Sequence, residues 1–138
     1  MNKIKKLINE NNENLIGSWT LNMIPLNEKG ARFTGKLFVS DKKLYFESQF
    51  DTSLKGTVNS LIASVGAASG NSLLVSQEII KQWEDLGVLI IPKSEIKEIT
   101  EKSSFLKKTV TVTLTDGIKY KFDYGMLSVK KIIEAIKK

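Results

Sequence analysis

The chain has 138 residues, 41% hydrophobic and 26% charged, with neither cysteine nor histidine. That excludes disulfides, thiolate chemistry, cysteine or histidine metal sites and the commonest general acid–base residue. The net charge of +6 comes from 21 basic and 15 acidic residues, and Arg32 is the single arginine.

A chain of this length suits one domain with its own core, so 1–138 reads as a single domain. The lysine surplus either favours anionic partners such as acidic lipid headgroups or reflects a lysine-rich composition alone. Specific readers of nucleic acid rely on arginine for bidentate base contacts, which argues against that class. No stretch reaches the roughly 20 apolar residues of a membrane span. The N-terminus has a basic start but no apolar run of signal-peptide length, so a cytoplasmic location is expected.

Ile4, Leu7 and Ile8 share one helical face among Lys3, Lys5 and Lys6. This predicts a short N-terminal helix that frays in the following "NENNEN" and docks on its own domain. In "GSWTLNMIPL", Trp19, Leu21 and Met23 alternate with polar residues, the period of a half-buried strand limited by Pro25.

"RFTGKLFVSDKKLYFESQF" reads as a hairpin. With Val39 opposite Leu44, Leu37 meets Phe46, Gly35 meets Ser48 and Phe33 meets Phe50 on one face. Phe38 then meets Tyr45, and Lys36 meets Glu47, on the other. A slip of one residue would scramble both faces. Residues 51–86 break this rhythm and read as an insertion, in which Val75, Ile79 and Trp83 predict a helix before Gly87.

"GVLIIPKSEIKEITEK" predicts a buried strand to Ile91, an interruption at Pro92 and a further strand holding Ile96 and Ile99. "TVTVTLTDGIKYKFDY" predicts a second hairpin. A two-residue turn at Asp116-Gly117 would set Leu114 and Val112 opposite Lys119 and Lys121. A three-residue loop, Thr115-Asp116-Gly117, sets Leu114, Val112 and Val110 opposite Ile118, Tyr120 and Phe122 instead. The apolar pattern selects that loop, a type I turn closed by a left-handed glycine. Last, Val129, Ile132, Ile133 and Ile136 form one helical stripe, with Ser128 as N-cap and Lys137 and Lys138 at the negative end.

The order strand, hairpin, insertion, strands, hairpin, helix predicts a mainly β (α+β) fold. The expected architecture is a small antiparallel barrel of about seven strands capped by the C-terminal helix. Three stretches carry a family likeness. "GKLFVSDKKLYFES" resembles the Gly-x-Leu-aromatic-x-Ser/Thr-x-x-x-Leu-x-Phe core of GRAM domains. "LIIPKSEIKEI" is similar to their Ile-Pro-x-x-x-Ile segment, and "VTLTDGIKYKFDY" to their Thr-x-Asp-Gly-x-x-aromatic-x-Phe hairpin. GRAM domains are relatives of the pleckstrin-homology (PH) barrel.

The resemblance implies a PH-like barrel and a non-catalytic module that binds membrane lipid or a protein partner. With neither cysteine nor histidine, no metal and no cofactor is expected. In many PH domains the loop between the first two strands meets lipid phosphates, which here points to Lys29, Arg32 and Lys36. Lys42 and Lys43 at the next hairpin tip, and Lys107 and Lys108 before the last hairpin, are further candidates for anionic contact. If the first five share one rim, a peripheral membrane module results. The alternative is a protein-interaction or self-association surface made of Phe38 and Tyr45 with Leu61, Ile62 and Val65 of the insertion.

Overall fold

The computed structural model describes residues 3–25, 32–48, 78–79, 81–83, 85 and 87–138. Its strands are β1 (Leu15–Pro25), β2 (Phe33–Ser40), β3 (Lys43–Ser48), β4 (Val88–Pro92), β5 (Ile96–Ser103), β6 (Lys108–Leu114) and β7 (Lys119–Asp123), flanked by α1 (Lys3–Glu10) and α2 (Lys130–Lys137). All seven strands join one antiparallel sheet in the order β4-β3-β2-β1-β7-β6-β5.

The sheet is open, which corrects the expected closed barrel: β4 and β5 lie at opposite edges and share no ladder. Yet only a 3-10 turn, Lys93–Glu95, connects them. Four Cα steps reach at most about 14 Å, so the sheet has to roll until its edges approach there.

Both hairpins have the expected registers. Gly35↔Ser48, Lys36↔Glu47, Leu37↔Phe46, Phe38↔Tyr45 and Val39↔Leu44 pair β2 with β3. Phe50, expected opposite Phe33, lies outside the described residues. Val110↔Phe122 and Val112↔Tyr120 pair β6 with β7. Gly117 N–H donates to Leu114 O, and Leu114 N–H to Ile118 O, both at 2.9 Å. Gly117 has φ +92°, so the bulged turn closes on the glycine.

The inner face of the sheet carries Met23, Leu37, Phe46, Leu89, Val112 and Phe122. Val129, just before α2, and Ile132, Ala135 and Ile136 of α2 join them in one buried cluster with Ile79 and Trp83. The Ile79 and Trp83 positions are helical, in line with the four-residue spacing; Val75 lies outside the described residues. Helix α2 has Val129 as its N-cap rather than the expected Ser128, whose Oγ accepts from Lys130 N–H at 3.3 Å. Its last turn is held by Lys93, whose Nζ donates to Ala135 O at 2.7 Å.

Helix α1 packs on the other face. Ile4 and Ile8 bury Phe38, Tyr45 and Val88 in a second cluster. Instead of fraying, α1 is stopped by a left-handed Asn12 (φ 56°). Asn12 N–H donates to Asn9 O and Glu13 N–H to Ile8 O, the paired bonds of a Schellman ending.

Candidate functional site

The outer face divides in two. Over β2, β3 and β4 it is covered by α1; over β5, β6 and β7 it carries a cavity of about 320 Å3 lined by Lys102, Ser103, Ser104, Lys107, Thr109 and Lys121. Strand alternation brings Lys102, Thr109 and Lys121 onto one face, and the β5–β6 turn adds Ser104 and Lys107. Lys102 pairs with Thr109, Thr109 with Asp123, and Asp123 with Asn22, so a polar row crosses four strands on one face. Lys121 projects from the same face of β7, two positions before Asp123.

Beside the cavity, Asp123 gathers Arg32 and Lys107. It is 4% exposed. Arg32 Nη2 donates to its Oδ2 at 2.9 Å, Gly125 N–H donates to its Oδ1 at 2.9 Å, and Lys107 Nζ stands 3.8 Å away. Burial pushes its pKa up, but the Gly125 bond and the Arg32 and Lys107 charges outweigh that and hold the carboxyl below its ordinary value. Among the described residues the cavity lining contains three lysines, three hydroxyls and no carboxylate.

Beside the cavity two apolar doublets face outward. Phe105 and Leu106 form the tip of the β5–β6 turn, closed by Ser104 N–H donating to Lys107 O at 2.9 Å. Met126 and Leu127 lie in the β7–α2 loop. The bonds Lys108 N–H to Gly125 O and Tyr124 N–H to Lys108 O hold turn and loop at the same end of the sheet. Phe105 is 88% exposed, Leu106 and Met126 67%, and Leu127 60%. Among the described residues these are four of the five exposed large hydrophobics, the fifth being Leu15.

Of the five cations expected on one rim, the four among the described residues do not share one. Arg32 precedes β2 and joins the Asp123 cluster, whereas Lys42 and Lys43 follow its other end, about 23 Å away along eight strand residues. Lys43 is engaged there, its Nζ 3.4 Å from Glu13 Oε2. Lys36 is exposed on the outer face across from Glu47. Lys29 lies outside the described residues. Of the other candidates, Lys107 lines the cavity, and Lys108 donates from Nζ to Ser104 O at 2.8 Å.

The expected partner surface is corrected as well. Phe38 is 2% exposed and Tyr45 is fully buried, because α1 covers them. Glu13, just after α1, fastens that cover: its Oε1 accepts from Ser40 Oγ at 2.6 Å and from Tyr45 OH at 2.8 Å. Burial first, then this Glu13 contact, pushes the Tyr45 phenol pKa far above its ordinary value. Leu61, Ile62 and Val65 lie outside the described residues.

Lys102, Lys121 and both doublets escaped the sequence reading. A signal was present in "EKSSFLKK": two large apolar residues interrupt a polar turn where no strand alternation uses them.

No protein-family model and no curated protein matches the sequence. Among solved structures, the chain is similar to the crystal structure of the C-terminal domain of an unknown protein from Leishmania infantum. The two share 15% identity at a TM-score of 0.60, over 99% of this chain and 96% of that one. At that identity the likeness concerns the fold alone.

Proposed function

We propose that the chain is a non-enzymatic, GRAM/PH-like module that attaches peripherally to an acidic membrane surface. The attaching end is the β5–β6 turn with the β7–α2 loop. One observation carries this reading: two exposed apolar doublets stand beside a lysine cluster at one end of the sheet. Exposed apolar side chains rimmed by charge mark interaction sites, and this pairing matches the two layers of an anionic bilayer. Fully burying a large apolar side chain contributes about 1.5–3 kcal/mol. A lysine near an acidic leaflet contributes about 1 kcal/mol. Either element alone gives weak attachment, and the two together give stable but reversible attachment. Within the described residues no helix is long and apolar enough to cross a membrane.

Co-sedimentation with vesicles tests the proposal. The chain should pellet with phosphatidylcholine vesicles containing phosphatidylglycerol, and not with phosphatidylcholine alone. Raising the salt should weaken the binding, and replacing Phe105 and Leu106 together by serine should lower it further. Failure to bind anionic vesicles at low salt would refute the reading.

A further inference from the structure

Resting on that membrane reading, we infer that the lysine-lined cavity receives a lipid phosphomonoester, the headgroup chemistry of phosphatidic acid. Lys102, Lys107 and Lys121 line one volume, no carboxylate of the described residues lines it, and the nearest, Asp123, pairs with Lys107 alone of the three. Adjacent strands lie about 4.8 Å apart, so Lys102 on β5 and Lys121 on β7 reach a common point above Thr109 on the strand between. A phosphomonoester carries about −1.5 to −2 charges at neutral pH and three acceptor oxygens. A phosphodiester headgroup carries one charge, which leaves such a cluster under-neutralised.

Lys107 supplies the adjustable part. At 3.8 Å its contact with Asp123 is an ion pair too long for a charge-assisted hydrogen bond. Arg32 and Gly125 N–H bond Asp123 directly, so Lys107 can turn onto a phosphate without stranding the buried carboxylate. Depth selects the headgroup. Ser104 and Lys107 line the cavity and also bracket Phe105 and Leu106 in the same turn. A phosphate in the cavity therefore sits within one side-chain length of the inserted residues, the position of a phosphate borne directly on glycerol.

The test compares the full chain on phosphatidylcholine vesicles doped with phosphatidic acid or with phosphatidylglycerol to equal surface potential. Affinity should be about fivefold higher for phosphatidic acid, the value of roughly one further charge at the lysine cluster. Lys102→Gln with Lys121→Gln should bring the ratio to unity, and Lys102→Gln alone, at an exposed edge position, should reduce it. Equal affinity of the unaltered chain for both vesicles overturns the headgroup assignment while leaving the membrane reading intact. Binding to neither overturns both. Free glycerol 3-phosphate should perturb the Thr109 and Lys121 amide resonances only weakly; binding as tight as to the vesicles would make the ligand a soluble phosphomonoester and overturn the lipid assignment.

Discussion

Arg32 and Asp123, 91 positions apart, meet at 2.9 Å and tie the chain entering β2 to the end of β7. The Asp123 carboxyl is held below its ordinary pKa: burial opposes this, and Gly125 N–H, Arg32 and Lys107 prevail. A carboxyl with a lowered native pKa binds fewer protons folded than unfolded. Its stabilisation is therefore complete above the unfolded value of about 4 and is lost as the pH falls through the lower native value. Thermal melts should show the midpoint falling below about pH 4. Asp123→Asn should be less stable at neutral pH and should flatten this part of the profile; an unchanged acid slope would contradict the assignment.

Gly117 should resist substitution for a backbone reason alone. Its φ of +92° closes the β6–β7 turn, and no atom of the described residues lies within 4 Å of the position a Cβ would occupy. Gly117→Ala is expected to cost about 1–2 kcal/mol in denaturant unfolding, from conformational strain rather than crowding. A neutral outcome would mean that the turn adopts another geometry.

Tyr120 offers the opposite sign. Its hydroxyl is buried and has no hydrogen-bond partner among the described residues, and burial pushes its pKa far above that of an ordinary phenol. Removing an unsatisfied buried hydroxyl relieves a desolvation cost, so Tyr120→Phe should stabilise the fold by about 1 kcal/mol. A loss of stability on chemical denaturation would reveal a bond that Tyr120 does make.

Charge reversal can separate the two ends of the sheet. Lys42→Glu, at the exposed β2–β3 turn, should leave binding to anionic vesicles within about twofold. Lys121→Glu, inside the cation cluster, should weaken it by about tenfold or more. Equal effects from the two variants would point to diffuse attraction by net charge rather than attachment through one end.

Much of the fold was legible along the chain. Two-residue alternation dictated which side chains of β2, β3, β6 and β7 face inward. It also resolved the turn at Asp116-Gly117, because a wrong loop length would have put Lys119 and Lys121 against the core. The stripe from Val129 to Ile136 likewise required a packed helix. These features obey local rules of period and turn geometry, so neighbouring residues suffice to specify them.

The candidate site followed no such local rule. Whether Phe38 and Tyr45 are exposed depends on α1, which lies some thirty residues earlier and is fastened through Glu13. Whether Arg32 belongs with Lys42 or with Lys107 depends on strand direction and on the order of strands in the sheet. Alternation says that Phe38 and Lys36 share a face but not whether anything packs on that face. Contacts between residues distant in sequence made this distinction: they covered one half of the outer surface with a helix and left lysines and apolar tips exposed on the other.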